Sequence, residues 1–429
     1  MAIVACSTPP GVSGIAVVRI SGEDAIKNVS TFVKDSPFNE TRPFSRVCFL
    51  VDNDGEVFDE AVVTSYVSPN SYTGENLVEI SCHGNPEIVS KIIDLSVDAG
   101  SRLAEAGEFT KTAFLNGKLD LSEAEAVASI IHSLSLAGVK AGIKNLRGGL
   151  SKEIYSIKSS LVSIVANLEF NLDISEEDLQ PNLLKNSEKT ILETIKKLDA
   201  CITSFKETKM FQSGASVVIL GPPNAGKSTL FNYLVNKNQS IVTDVEGTTR
   251  DVIEKSININ GLPILLKDTA GIRESGDGVE KIGVERSFVE AKDADLTIIL
   301  NDMNLSFEGV KHIHVFNKSD IKSPDKKYDI SISAKTGKNV KELKEVIYNN
   351  LISNKTKTDT LLTSKRQYNA IKSALKHTKD AYSLLVAEDS MELLVEDINR
   401  SISFLDSITK KTTKDDVLDA VFSSFCVGK

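Results

Sequence analysis

The sequence predicts a multidomain chain in which an α+β unit, an all-α region and an α/β unit follow one another. Three observations predict it. Short β-branched runs around a hairpin signal fill residues 1–117. Apolar residues then recur at three and four over 118–208, and helical spacing returns over 360–429. Between those stretches, over 211–352, apolar strands alternate with helices.

In the first stretch Ile15-Ala16-Val17-Val18-Arg19-Ile20 and Glu60-Ala61-Val62-Val63-Thr64 read as strands, with Asn53-Asp54-Gly55 as a hairpin turn. Pro86 to Ala99 reads as a helix with Ile88, Ile92 and Leu95 on one face. In the second, Leu121, Ala124, Ala128 and Ile131, then Leu161, Ile164, Val165 and Leu168, carry bundle spacing. Glu176-Glu177-Asp178 before Pro181 reads as a solvated break between helices. In the third, strands are expected at Val217–Leu220, Leu262–Leu266, Leu296–Leu300 and Ile313–Phe316, with a polar linker at Ser353–Lys357. Helical segments on both sides of an α/β unit suggest one helical domain interrupted by an insertion whose ends lie close together.

Composition narrows the class. Of 429 residues 41% are hydrophobic and 25% charged, a globular balance that excludes disordered and collagen-like chains. Fifty basic against 59 acidic side chains give −9, which excludes a uniformly basic nucleic-acid coat but not a local basic patch. Cys6, Cys48, Cys82, Cys201 and Cys426 are odd in number and scattered. They form neither a disulfide framework nor a zinc spacing, so a reducing cytoplasmic setting is expected. No run reaches the 18 or more apolar residues of a membrane span, and Pro9-Pro10-Gly11 interrupts the apolar start, which does not read as a signal peptide.

The chemistry is clearest in the third stretch. Gly221-Pro222-Pro223-Asn224-Ala225-Gly226-Lys227-Ser228 fits G-x-x-x-x-G-K-[ST] between an apolar strand and a helix. Its backbone N–H groups can close around phosphates, Lys227 can reach the β/γ oxygens, and the Ser228 hydroxyl can ligate Mg²⁺. Gly247-Thr248-Thr249-Arg250 offers a threonine that can close over Mg²⁺. Asp268-Thr269-Ala270-Gly271 offers a carboxylate toward Mg²⁺ through water and a glycine N–H toward the γ-phosphate. Asn317-Lys318-Ser319-Asp320 and Ser333-Ala334-Lys335 end two further strands. A carboxylate at Asp320 accepts from both N1–H and the 2-amino group of guanine. Adenine offers neither donor, and an unpaired buried acceptor costs about 1–3 kcal/mol. Guanine is therefore selected, and GTP binding is expected.

These motifs resemble the Ras-like P-loop GTPases of the translation-factor-related class. Ile272 stands where Ras-type enzymes carry a water-positioning glutamine. Asn224 matches the asparagine that helps hold a monovalent cation in potassium-activated GTPases. Such an ion near the β/γ bridge would offset developing charge where no arginine finger is visible.

The outer segments narrow the resemblance. Ser7-Thr8-Pro9-Pro10-Gly11, Arg19-Ile20-Ser21-Gly22, Tyr72-Thr73-Gly74-Glu75, His83-Gly84-Asn85-Pro86, Gly107-Glu108-Phe109-Thr110, Ala113 to Leu121 and the ending Cys426-Val427-Gly428-Lys429 are similar to the MnmE (TrmE) family of tRNA modification GTPases. That resemblance implies an N-terminal folate-binding and dimerisation domain (1–117), a discontinuous helical domain (118–208 and 353–429) and an inserted G domain (211–352). It implies a cytoplasmic homodimer with no membrane association. It also implies work with the flavoprotein MnmG (GidA), which carries the FAD, and with 5-formyl- or 5,10-methylene-tetrahydrofolate, to form 5-carboxymethylaminomethyluridine at the wobble position of certain tRNAs.

Residue by residue, the resemblance places folate contacts on Arg19, Glu79, Lys118 and Lys429. It places K⁺ on Asn224, Thr243, Val245 and Thr248, and Mg²⁺ on Ser228 and Thr249. Nucleotide contact extends over Gly221, Ala225, Gly226, Lys227, Thr229, Asp244, Glu246, Gly247, Asp268 to Gly271, Asn317, Lys318, Asp320, Ser333, Ala334 and Lys335. Glu280 matches the water-orienting glutamate and joins Lys227 as catalytic. Arg250 and Arg273 match family arginines near the switches. Cys426, read alone, is a small apolar residue expected in a core; its place in the terminal motif gives it a role worth testing. His83 lies in a loop with no Cys or Asp at a supporting sequence spacing.

Two departures stand out. With the flanking strands extended to Leu296–Asn301 and Lys311–Phe316, only nine residues remain between them, Asp302 to Val310, too few for an ordinary helical crossover. A shortened or missing helix is expected there. Val12 also stands where the family usually has arginine. A ribosome-assembly switch GTPase is the alternative, but it would need an appended RNA-binding domain such as KH, and no G-x-x-G loop with a basic face follows.

Overall fold

The fold comes from a computed structural model, which describes residues 1–429 except 35–41, 173–180, 237–252, 269–288, 303, 305–308, 353–361, 388, 410–414 and 424. The side chains of 170–172, 181–184, 253, 268, 415–417 and 420 also lie outside the description. Two compact units emerge: Met1–Ala128 with Leu146–Ser151 and Ser403–Lys429, and Ser129–Asn145 with Lys152–Ile402.

The first unit is built on a six-stranded sheet. Its strands are β1 (Ile3–Cys6), β2 (Ser13–Ser21), β3 (Phe44–Val51), β4 (Val57–Tyr66), β5 (Leu77–Gly84) and β6 (Arg102–Leu103), in the order β3-β4-β5-β2-β1-β6. All neighbours are antiparallel except β1 and β6. The turn between β3 and β4 uses Gly55 at φ 82°. The Asp52 side chain accepts from the N–H groups of Asp54 and Glu56 at 3.0 Å, an Asx arrangement. One sheet face is apolar. There Val18, Ile20, Leu50, Val63 and Ile80 pack with Ile26 and Val29 of α1 (Ala25–Ser30) and Ile92 and Leu95 of α2 (Pro86–Asp98). Asn85 caps α2 by accepting from Glu87 N–H at 2.9 Å, with proline opening the helix.

Strands β1, β3, β5 and β6 escape the sequence reading. In β5, Glu79, Ser81 and His83 occupy the less buried alternate positions and interrupt the apolar run. The helices α3 (Glu108–Leu115) and α4 (Leu121–His132) meet the helix Asp415–Phe422 through Phe114, Leu121, Ala124, Leu418, Phe422 and Phe425. Ile131, expected on the buried stripe, is 44% exposed one residue before α4 ends.

The second unit holds α5 (Leu136–Leu146) and α6 (Gly149–Leu172) for most of their length, and all of α7 (Pro181–Ser213). Leu161, Ile164, Val165 and Leu168 are buried on α6, as their spacing predicts. Helix α7 runs past residue 208 to Ser213, and Gly214 at φ 85° then turns the chain into the second sheet. That sheet contains β7 (Ala215–Leu220), β8 (Ile253–Ile259), β9 (Leu262–Asp268), β10 (Leu296–Leu300), β11 (His312–Phe316) and β12 (Ile330–Ser331). Its order is β12-β11-β10-β7-β9-β8, parallel throughout except for β8 against β9. Helix α8 (Lys227–Asn236) follows β7, and α9 (Val340–Leu351) buries Val340, Leu343 and Ile347 against the same core. Helix α10 (Lys365–Val386) packs along α7, where Phe205 stacks on Tyr368 at 4.7 Å between ring centroids. Helix α11 (Met391–Thr409) begins in this unit.

Strands β10 and β11 are adjacent and parallel, and residues 301–311 connect them. No described residue of that connection is helical. Asn301 takes φ 53° and Gly309 φ 77°, and Asp302 O lies 2.8 Å from His314 Nδ1. The expected breaks at Glu176-Glu177-Asp178 and Ser353–Lys357 lie outside the described residues.

Candidate functional site

The phosphate loop begins where buried β7 runs out of partners. Gly221 adopts φ 149°, and a Cβ there would approach Leu300 O to 2.6 Å. Asn224 takes φ 61°, a left-handed conformation that asparagine tolerates better than most residues. Gly226 takes φ 93° before α8 opens at Lys227. The Lys227 ammonium donates to Gly221 O at 2.9 Å and Pro222 O at 3.1 Å, so the loop curls around its own cation. The first turn of α8 presents N–H groups that no helical carbonyl satisfies, and its dipole favours an anion there. Ser228 and Thr229 sit exposed on that turn.

Asn317 ties this loop to the base-side loops. It is 3% exposed. Its Nδ2 donates to Ala225 O at 2.8 Å, its Oδ1 accepts from Ala334 N–H at 3.0 Å, and its own N–H donates to Asn301 Oδ1 at 2.7 Å. The Asn317 side chain thus joins Ala225 to Ala334, and its backbone N–H ties them to Asn301 just after β10. A Cβ on Gly226 would come within 2.4 Å of Asn317 Nδ2. Lys318 follows at φ 70° and is exposed, as are Asp320 and Lys335. The Ser333 hydroxyl bonds the Asp320 carboxyl and lowers its pKa, helped by the backbone and by Lys335 and Lys318. Asp320 is therefore an ionised acceptor at neutral pH, the form that two adjacent N–H donors need. Asn301 is part of this bracket and carries no sequence motif that marks it.

Asp268 ends β9 beside Ile219 of β7 in the parallel register. Its side chain lies outside the described residues, as do Thr243, Asp244, Val245, Glu246, Gly247, Thr248, Thr249, Arg250, Thr269, Ala270, Gly271, Ile272, Arg273 and Glu280.

The first unit holds a second polar cluster. Arg19 on β2 and Glu79 on β5 are register partners. Glu79 Oε1 accepts from Arg19 Nη2 at 2.7 Å and Nε at 3.0 Å, while Nη1 donates to Gly428 O at 3.4 Å. The guanidinium is 13% exposed and lies 5.4 and 5.6 Å from the ring centroids of Tyr72 and Phe109. Its fork is thereby committed to the protein. Gly428 O also accepts from the Ser7 hydroxyl at 3.0 Å, and Val427 bridges Ala106. The last residues are thus docked on their own chain rather than loose, and Gly428 at φ 95° leaves no room for a side chain against Cys6 O. Lys429 lies close enough for burial first, and the Arg19 charge second, to lower its pKa; Glu79 and Cys426 act the other way. Lys118 donates to Pro69 O at 2.9 Å. Cys426 is exposed, not in a core, because Phe422 and Phe425 take the buried positions of that segment.

The structure supplies the partner that His83 lacked in the sequence. Asp59, on the neighbouring strand, faces it at 2.6 Å. A pair 24 positions apart becomes visible only once β4 and β5 are aligned.

With this geometry in place, the similarities decide the family. Residues 2–118 match the description GTP-binding protein TrmE N-terminus, and residues 121–426 match the MnmE helical domain. The chain belongs to the MnmE family. Its relatives include the tRNA modification GTPase MnmE of Aquifex aeolicus, 38% identical over 449 positions, and that of Thermotoga petrophila, 36% identical over 457. Each alignment covers 100% of this chain and 99% of the relative. MnmE of Thermotoga maritima is 36% identical over the same shares. Both ends of the chain are therefore matched, including the Arg19 and Lys429 regions. No helix among the described residues is long and apolar enough to cross a membrane.

Proposed function

We propose that this protein hydrolyses GTP in a K⁺- and Mg²⁺-dependent way and uses the cycle to drive modification of C5 of the wobble uridine in certain tRNAs. The observation that carries the nucleotide reading is the Asn317 bracket with ionised Asp320 beside it. It ties a phosphate loop to a base-reading carboxylate that matches guanine.

In this reading Lys227 and the N–H groups of α8 hold the phosphates. Ser228 and Thr249 hold Mg²⁺, with Asp268 behind it, and the hydroxyl oxygens suit a hard cation. Asn224, Thr243, Val245 and Thr248 hold K⁺. Bound cations supply neutralisation of charge at the β/γ oxygens, and Glu280 orients the attacking water. Arg250 and Arg273 pair across the contact between two G domains.

The tRNA chemistry belongs to a homodimer acting in the cytoplasm with an FAD-bearing flavoprotein of the MnmG (GidA) kind and a 5-formyl- or 5,10-methylene-tetrahydrofolate carrier. The product is 5-carboxymethylaminomethyluridine. Lys429 and Lys118 suit the carrier's glutamate carboxylates, Glu79 Oε2 suits a pterin N–H edge, and Arg19 belongs to the same site. We further propose that residues 118–208 and 353–429 form one discontinuous helical domain with the G domain inserted. The packing of α10 along α7 supports this.

Nucleoside analysis tests the reading. Total tRNA from cells lacking this protein should lose the C5 modification and regain it on complementation. Full modification in the deleted cells would overturn the tRNA assignment. Calorimetric titration with GTP tests the nucleotide site separately.

A further inference from the structure

We propose that Asp59 and His83 form a general acid–base dyad for the tRNA base modification, with His83 Nε2 as the proton acceptor; this rests on the reading of substitution at uridine C5. The geometry is that of a positioned imidazole. The Asp59 carboxyl is 4% exposed, while the His83 ring is 69% exposed. Asp59 Oδ1 lies 2.6 Å from His83 Nδ1, and Asp59 Oδ2 accepts the His83 backbone N–H at 3.1 Å. One buried carboxyl group therefore fixes both the backbone and the ring. With Nδ1 donating to Asp59, Nε2 is the basic nitrogen of the neutral ring. Among the described residues Nε2 has no hydrogen-bond partner.

A pair that served the fold alone would gain little from an imidazole left in water. His83 and Glu79 occupy alternate less buried positions of β5, about 13 Å apart along the strand. The groups that act on the ring are Asp59 and Glu60 of β4. Cys82, beside it on β5, is pushed up to about 11, mainly by burial, and stays a neutral thiol. The facing stretch of β2, Ser13 to Ile15, bears no titratable side chain. Asp59 raises the pKa of His83 by its hydrogen bond and then by its charge.

The C5–C6 π pair of the uridine would form the new bond to the electrophilic one-carbon unit of the tetrahydrofolate carrier, whose carbon–nitrogen π pair would pass to its nitrogen. Loss of the C5 proton then returns the C5–H electron pair to the C5–C6 double bond. The proton passes to neutral His83 Nε2 and then to water.

The test uses the full-length protein reconstituted with its flavoprotein partner and unmodified tRNA, reading base modification against pH and GTP hydrolysis on the same samples. Modification by the wild type should rise with pH as His83 loses its proton. His83→Gln should lower it by roughly 10²–10⁴-fold, with GTP hydrolysis within two-fold. Asp59→Asn should move the inflection to lower pH and reduce the plateau. Undiminished modification by His83→Gln, or an inflection unmoved in Asp59→Asn that retains GTP hydrolysis, overturns the dyad. Absence of modification by the wild type overturns the tRNA reading, and the dyad with it.

Discussion

Asn317→Ala removes the side chain that joins the phosphate loop to the base-side loop. In the native protein its amide satisfies the Ala225 carbonyl at 2.8 Å and the Ala334 N–H at 3.0 Å, both in buried surroundings. Alanine satisfies neither and leaves a void where the amide stood. Two orphaned buried groups at about 1–3 kcal/mol each sum to roughly 2–6 kcal/mol. If the loss falls wholly on nucleotide binding, affinity drops by about 30-fold at the low end and 10⁴-fold at the high end. If it falls on the fold, the G-domain melting transition moves down instead. Calorimetric GTP titration and thermal unfolding of the same protein divide the two. Asp320→Ala in parallel should weaken binding without lowering the transition, because Asp320 is exposed. Wild-type affinity together with a wild-type melting curve in Asn317→Ala would refute the bracket.

Asp320→Asn should weaken GTP and favour xanthosine triphosphate, since its amide donates where the 2-amino group of guanine also donates; unchanged GTP affinity in direct titration defeats the base assignment. GTP hydrolysis should rise strongly when K⁺ replaces Na⁺ at constant ionic strength, and Asn224→Ala should remove most of the difference; equal rates in both salts refute the cation reading. Deleting Val427 to Lys429 removes the carbonyl that Arg19 and Ser7 bind and the Lys429 ammonium. At about 1.5–3 kcal/mol for a charge-assisted bond, folate affinity should fall roughly 10- to 150-fold, while GTP hydrolysis persists. Intact folate affinity with collapsed GTP turnover would mean that the terminus serves the G domain.

The sequence by itself determined the succession of an α+β stretch, a helical stretch and an α/β stretch, and the motifs from which nucleotide binding is read. P-loop glycines, Lys227 and Asp320 are legible because phosphate and base recognition demand particular residue types at short spacing. So are α2 and the buried stripe of α6, where a 3.6-residue period repeats along one helix. Tertiary structure alone decided what depends on non-local register. Arg19 and Glu79 meet across β2 and β5, and Gly428 caps them from the far end of the chain. Asp59 and His83 meet because β4 and β5 pair. Asn317 carries no sign in the sequence that its side chain joins Ala225 to Ala334. These contacts bind residues tens to hundreds of positions apart, and local periodicity carries no record of which strand will lie beside which.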